Sequence, residues 1–277
     1  MHTLAARALL CLGLCWAAAP AAGLAETLVL GGAGGALGTM HMMADAYSAR
    51  HRGVEIKILA SLGSGGGIKA VLSDALDLGL ASRSLKSKER QAGAREIPYG
   101  QSAVVFVTPA RTKIVDVTTD QILDIFSRTI RHWHDGTPIR PILRPLSDSN
   151  TRILARQVSG FDRVYRNILM AAGIPILYTE QKNAHMIETT PGAIGFTSLA
   201  QALSEKHPLN VLSYNGTTAA PKTIADRSYP LSKTFRFIVR NKPEPPVVQF
   251  FDFVFSAEGS AILRQTGHAP LQRSAGN

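Results

Sequence analysis

Apolar residues along the chain follow two periods, one typical of strands and one typical of helices. Val54, Ile56 and Ile58 alternate with polar residues, whereas Ile68 and Val71 belong to a face that repeats every three or four residues. Apolar runs predict strands at 27–30, 54–58, 78–81, 103–107, 139–143, 193–196 and 234–239. Helical spacing predicts helices at 37–47, 68–76, from 118 or 119 to 126, 147–158 and 247–255. This alternation indicates a parallel α/β architecture with helices on both faces of the sheet.

Three polar loops rich in Gly, Ser or Thr follow predicted strands and open predicted helices, at residues 32–37, 63–67 and 147–151. Ligands of α/β sheets bind beyond the carboxyl ends of the strands. A helix N-terminus attracts an oxyanion, because its first N–H groups are free and it carries partial positive charge. Each loop alone favours a tight turn with a helix cap. Three such loops on one scaffold favour an anion-binding site that needs no cofactor.

The N-terminus has the order of a secretory signal peptide. Arg7 precedes an apolar run over residues 8–19, and small residues then lead to Ala25. We expect cleavage near Ala25 and export; the alternative is a buried N-terminal helix. Both cysteines, Cys11 and Cys15, lie in this segment, so the mature chain would hold no disulfide, thiol nucleophile or cysteine metal site. A lipid-anchored cysteine is disfavoured, because a large leucine precedes each of the two.

The charge of the chain is strongly positive. The formal net charge is +10, and removal of Arg7 with the signal lowers it by one to +9. An exported chain rarely meets nucleic acid, so this charge is better explained by a small anion, a membrane surface or the cell envelope.

Other motifs for cofactors, metals and catalysis are incomplete. The first loop has Leu37 where a dinucleotide-binding loop needs its third glycine, and Leu62 stands where a serine-hydrolase elbow at Ser64 would need one. Residues 132–135 contain two histidines and an aspartate, but Gly136 and Pro138 follow, so a solvated turn is favoured over a metal site. Met40 and Met43 fit the apolar face of a helix better than a copper site. We therefore expect no metal and no cofactor.

Several segments, in this order, resemble the phosphate-binding substrate-binding proteins of bacterial ABC transporters. The similar segments are residues 32–34, 62–69, 77–83, 119–126 followed by Trp133, 191–196 and 256–259. The resemblance extends from residue 27 to residue 271. The combined order is specific, whereas no single segment is.

The resemblance implies two α/β lobes joined by two crossing strands, with the ligand between them. It places a signal peptide at 1–25, the first lobe at 26–102 plus 229–277 and the second lobe at 103–228, with crossings near 100–103 and 228–231. It also implies a periplasmic solute-binding protein, not an enzyme, that delivers phosphate or a similar oxyanion to the membrane permease of an ABC transporter. We expect no nucleic-acid partner and a monomeric chain.

The resemblance further implies the ligand-binding residues. Relatives carry Thr-Phe where this chain has Ala36-Leu37, so the opening loop would donate only backbone groups. Ser82 stands where some relatives carry Asp, and Asn150 replaces a glycine between two hydroxyl residues. Serine and threonine hydroxyls would donate hydrogen bonds, and an arginine would balance the charge. The expected set is Gly34, Gly35, Ala36, Leu37, Ser64, Ser82, Arg83, Arg144, Asp148, Ser149, Asn150, Thr151 and Arg152.

Two other functions stay open from the residues. The departures at Ala36 and Asn150 allow another ligand, such as an organic phosphate or phosphonate. An envelope hydrolase would need a nucleophile and a base, and neither His185 nor His268 lies in a recognisable motif. Asp148 also has two interpretations. It is either an acceptor for the proton of bound phosphate, which would reject sulfate, or the cap of the following helix.

Overall fold

The computed structural model describes residues 26–171, 173–240 and 243–273 of the chain. The predicted signal peptide and its cleavage site lie outside these residues. The strands are β1 Glu26–Gly32, β2 Val54–Ile58, β3 Leu78–Ala81, β4 Ala94–Pro109, β5 Asp116–Val117, β6 Arg140–Pro141, β7 Ala193–Ser198, β8 Leu209–Val211, β9 Ser213–Tyr214, β10 Ser232–Arg240 and β11 His268–Pro270. The helices are α1 Gly34–Ser48, α2 Gly63–Leu72, α3 Ser87–Gln91, α4 Thr119–Phe126, α5 Ser149–Gln157, α6 Phe161–Leu169, α7 Glu180–Thr189, α8 Leu199–Ser204, α9 Pro221–Ala225, α10 Pro245–Val254 and α11 Ala257–Gln265.

The main sheet is mixed, which corrects the prediction of a parallel one. Its order is β2-β1-β3-β10-β4-β7-β6, with β8 and β11 also paired to β4. β1 is parallel to β2 and β3, but β10 is antiparallel to both β3 and β4. The apolar pattern predicted the strand at 234–239 but not its direction. Strand direction depends on how segments distant in the chain return to the sheet, and local periodicity does not contain that information.

One long strand, β4, belongs to both halves of the sheet. Its residues 94–103 pair with β10, whereas its residues 104–107 pair with β7. The sequence predicted only the second half, because Pro98, Gly100 and Gln101 interrupt the apolar pattern of the first half.

Two lobes pack around separate hydrophobic cores, as the fold class predicted. In the first lobe, α1 and α10 cover the sheet with Met40, Met43 and Phe250, all fully buried. These methionines are core residues, in agreement with their apolar spacing. In the second lobe, Phe126, Tyr165 and other buried aromatic residues pack beside β7. The apolar residues are buried inside each lobe, and loops with mostly polar residues face the space between the lobes.

Helix α4 begins as predicted at a threonine cap, since the Thr118 side chain accepts a hydrogen bond from the Gln121 N–H. Among the described residues, no single helix is long and apolar enough to cross a membrane. Helices α10 and α11 reach that length only together, across a bend of 65°.

Candidate anion-binding site

A polar cleft of about 910 Å³ lies between the two lobes. Its wall is formed by the first turns of α2 and α5, the segment after β3, and the start of β10. The openings of α2 and α5 and the end of β3 are places where the sequence predicted anion-binding residues, whereas the start of β10 is not.

Three serine hydroxyls from different loops meet in this cleft. Ser64 lies in the first turn of α2, Ser82 follows β3, and Ser149 begins α5. The Ser82 Oγ lies 2.8 Å from the Ser149 Oγ and 3.3 Å from the Ser64 Oγ. The Ser82 backbone N–H donates to the Ser64 Oγ at 3.0 Å. The sequence predicted all three residues, and the structure brings them together.

Glycine makes this close approach possible at the opening of α2. Gly63 has a φ of +66°, a conformation that favours glycine, so the chain can turn sharply into the helix. A Cβ on Gly67 would lie 2.8 Å from the Gly32 Cα, so only glycine lets α2 pack this closely on the end of β1. Both features hold the Ser64 loop against β1 and β3.

Arg144 and Asp148 form a buried ion pair beside the serines. The Arg144 Nη2 lies 2.7 Å from the Asp148 Oδ2, with side-chain exposures of 4% and 7%. Arg144 also donates to the Leu177 carbonyl at 2.7 Å. The other Asp148 oxygen accepts from the N–H groups of Asn150 and Thr151 at 3.0 and 3.2 Å, as a helix cap does. The geometry therefore favours the cap interpretation of Asp148.

Arg83 lines the cleft but is paired with a carboxylate. Its guanidinium makes two hydrogen bonds to Glu89, at 2.8 and 2.7 Å. This pairing lowers the pKa of Glu89 to about 2. Arg152 also lines the cleft, and its Nε donates to the Leu146 carbonyl at 3.3 Å.

The structure places most of the predicted opening loop outside the cleft. Gly34 lines it, but Gly35, Ala36 and Leu37 do not. A Cβ on Gly35 would come within 2.5 Å of the Glu180 carboxylate, so the second lobe covers this helix start. The prediction missed this because the glycine pattern is the same whether an anion or a protein carboxylate approaches the helix.

Asn150 and Thr151 are also turned away from the cleft. Asn150 is fully buried, and its Oδ1 accepts from the Lys233 Nζ at 2.6 Å. The Thr151 hydroxyl faces the Asp148 carboxylate at 3.4 Å. Neither side chain lines the cleft wall.

Two cleft residues, Lys233 and Glu180, escaped the sequence prediction. The Lys233 Nζ lies 3.3 Å from the Glu180 Oε1 and 4.9 Å from the centroid of the Phe235 ring. The Ser198 hydroxyl donates to the other Glu180 oxygen at 3.0 Å. A signal for Lys233 existed, because it occupies a buried position in the same alternation as Phe235. Glu180 had no comparable signal.

His132, His134 and Asp135 are exposed, whereas Trp133 between them is half-buried against the core of the second lobe. In the described ranges, no group of three or more His, Cys, Asp or Glu is arranged to hold a metal ion.

Two α/β lobes with hydroxyl and guanidinium groups facing a cleft between them define a bilobal binding protein. A family model described as the PBP superfamily domain matches residues 17–258, and the chain belongs to that superfamily.

Two curated proteins are similar in sequence to most of this chain. The chain is 27% identical over 214 residues to the phosphate-binding protein PstS of Borreliella burgdorferi, covering 74% of this chain and 76% of the relative. It is 23% identical over 260 residues to the protein SphX of Synechococcus elongatus, covering 84% and 74%.

Solved structures share the fold. A Clostridium perfringens protein described as a phosphate ABC transporter substrate-binding protein, solved with bound phosphate, has a TM-score of 0.76 at 22% identity. That likeness covers 89% of this chain and all of the other. A phosphate-binding protein from Stenotrophomonas maltophilia has a TM-score of 0.65 at 16% identity, covering 90% and 91%.

Proposed function

We propose that this chain is an exported solute-binding protein that captures phosphate, or a similar oxyanion, between its lobes for an ABC-type permease. The observation that carries the proposal is the meeting of Ser64, Ser82 and Ser149. Each hydroxyl can donate to a phosphate oxygen, and Ser64 belongs to the opening of α2, which no side chain caps in the part of the chain that the structure describes. The relatives named for phosphate binding support the choice of ligand.

Binding would exchange one set of hydrogen bonds for another. The Ser82 and Ser149 hydroxyls form a hydrogen bond with each other at 2.8 Å, across the two lobes. In the complex, both hydroxyls would donate to phosphate oxygens instead. Because Ser82 lies in the first lobe and Ser149 in the second, the anion would hold both lobes at once. Arg144 would stabilise the added charge from beside the serines, with its own position fixed by Asp148.

The cleft supports binding rather than hydrolysis. A serine nucleophile needs a base within hydrogen-bond reach, but these serines contact each other, and no histidine lines the cleft in the part of the chain that the structure describes. His268 is fully buried elsewhere, and His185 pairs with Glu188 at 2.8 Å. We therefore propose a role without enzymatic activity.

Calorimetric titration with inorganic phosphate tests the proposal. Ser64→Ala and Ser149→Ala should each weaken binding by about 1–3 kcal/mol, because each removes a donor from a partly buried site. Ser73→Ala is the matched control, since Ser73 is an exposed helix-end serine outside the cleft. If wild-type protein binds no phosphate, or if both cleft variants bind it as tightly as the control, the proposal is wrong.

Export, lobe boundaries and a monomeric state belong to the same proposal. The N-terminal signal pattern supports export, with mature protein beginning near Glu26 in the periplasmic fraction. N-terminal sequencing that recovers intact Met1 from the native host would contradict it. The separate cores support a division into two lobes, which we place at 26–102 plus 229–277 and at 103–228.

A further inference from the structure

Four of the cations that line the cleft are each paired with a carboxylate. Arg83 pairs with Glu89, Arg144 with Asp148, and Lys233 with Glu180. Arg236 lies 3.4 Å from Glu96, which it shares with Arg90. The inner cleft therefore offers hydroxyl donors on a background whose charges are largely balanced, a setting suited to one small anion.

Three further cations line the mouth of the same cleft without an ion pair. Lys86 comes from the first lobe, whereas Arg152 and Arg156 lie one turn apart on α5 of the second lobe. In the described ranges, none of the three forms a salt bridge with a carboxylate. Lys86 lies close enough to Glu89 to help lower its pKa, but both Glu89 oxygens are already bonded to Arg83. In the described part of the chain, these three cations thus bring positive charge from both lobes that no ion pair neutralises.

The mouth also presents carbon surface. Tyr178 is 76% exposed and Leu62 is 44% exposed, and both line the cleft, one from each lobe. Apolar surface in a cleft that also carries guanidinium groups outside ion pairs suits a ligand with an organic skeleton between two charges.

The size of the cleft agrees with a larger ligand. A phosphate ion has five heavy atoms, and at about 30 Å³ for a water-sized atom it fills on the order of 150 Å³. A cleft of about 910 Å³ therefore has room for a ligand several times larger than phosphate.

We propose that the preferred ligand is a phosphate ester, phosphate anhydride or phosphonate that carries a second anionic group. The three serines hold the phosphoryl group, as in the function proposed above, on which this inference rests. Lys86, Arg152 and Arg156 hold the second group, a phosphate or a carboxylate.

The test compares four probes by calorimetric titration: inorganic phosphate, methyl phosphate, pyrophosphate and 3-phosphoglycerate. The two probes with a second anionic group should bind at least about tenfold more tightly than phosphate or methyl phosphate, because each gains charge-assisted hydrogen bonds at the mouth. Methyl phosphate separates the effect of esterification from that of the second charge.

A double variant then assigns the gain to the mouth. Lys86→Gln with Arg156→Gln should abolish the advantage of pyrophosphate and 3-phosphoglycerate and leave the affinity for phosphate within about twofold. Lys113→Gln with Arg163→Gln removes the same two charge types from exposed positions outside the cleft, and should leave all four affinities unchanged.

The outcomes separate this inference from the proposed function. If phosphate binds tightly and the larger probes bind no better, this inference is wrong and the proposed function stands. If the mouth variant weakens phosphate and the larger probes equally, the cations act only as long-range attraction and the inference is also wrong. If none of the four probes binds, the proposed function fails as well.

Discussion

The hydroxyl of Ser82, at the end of a strand in the first lobe, lies 2.8 Å from the hydroxyl of Ser149, at the start of a helix in the second lobe. The two residues are 67 positions apart in the chain. A contact this short between lobes means that a small anion bound by both hydroxyls couples the lobes directly. Occupancy of the site and closure of the cleft are therefore expected to rise together.

Asp148→Asn tests the two interpretations of this carboxylate. The change leaves the Arg144 charge buried without its partner, so unfolding free energy should fall by about 3 kcal/mol, as measured by urea denaturation. The ratio of the phosphate and sulfate affinities should stay unchanged, because both Asp148 oxygens are already bonded to protein donors. Asp162→Asn is the control, since its pair with Arg166 is exposed and should matter little. A shift of preference toward sulfate in Asp148→Asn would instead establish the acceptor role.

Ser82→Asp should create selectivity that the native site lacks. Both carboxylates that line the cleft among the described residues, Asp148 and Glu180, already hold partners. We expect the native protein to prefer phosphate over sulfate by less than about tenfold, since a hydroxyl can serve either anion. An aspartate at position 82 would accept the proton of phosphate and repel sulfate, and should raise the ratio by about tenfold or more. Competition titration measures the ratio, and an unchanged or lower ratio would contradict the prediction.

Gly35→Ala should destabilise the protein, because the added Cβ meets the Ser198 hydroxyl and the Glu180 carboxylate of the other lobe. Overpacking of this kind costs about 1–3 kcal/mol in thermal or chemical unfolding. Gly65→Ala is the matched control, because Gly65 also lies in the first turn of a helix but has open space around it. It should be neutral or stabilising by up to about 1 kcal/mol. Equal effects of the two changes would show that α1 is not covered in this way.

His268 should make the protein sensitive to acid. It is fully buried beside Phe235 and Tyr99, and burial lowers its pKa from 6.5 to about 3. Lys233 adds a smaller effect in the same direction. The folded state keeps the ring neutral while the unfolded chain takes up a proton, so stability is present above pH 6.5 and is lost as pH falls toward 3. Urea denaturation between these pH values should show a weaker pH dependence for His268→Gln than for wild type, whatever its absolute stability.

His207 should change stability with pH in the opposite direction to His268, because its pKa is raised. The hydrogen bond with Glu205 raises its pKa most, and one with Glu188 adds to the effect. Its contribution is therefore complete below pH 6.5 and is lost as pH rises above that value. His207→Gln should alter the neutral-to-alkaline limb of the stability profile, and urea denaturation above pH 6.5 measures the change.

The sequence by itself determined the elements that carry strong periodicity. The strand at 78–81 and the helices around Met40 and Ile68 are confirmed, because burial of one face leaves a regular apolar spacing in the chain. The loops at Ser64 and Ser149 were also predictable as neighbours, since a strand end followed by a helix start fixes one edge of the sheet. Those patterns are local, and each can be read within about a dozen residues.

The tertiary structure alone decided which groups face the cleft and which are neutralised. Whether Gly35 meets an anion or Glu180, whether Asp148 serves Arg144 or a ligand, and whether the sheet runs parallel all depend on contacts between distant segments. A charged group or hydrogen-bond donor pairs with the partner that the fold brings within a few ångströms of it. Those distances cannot be derived from a single sequence. The first half of β4 was missed for the same reason, because its strand conformation is held by β10, more than a hundred residues later in the chain.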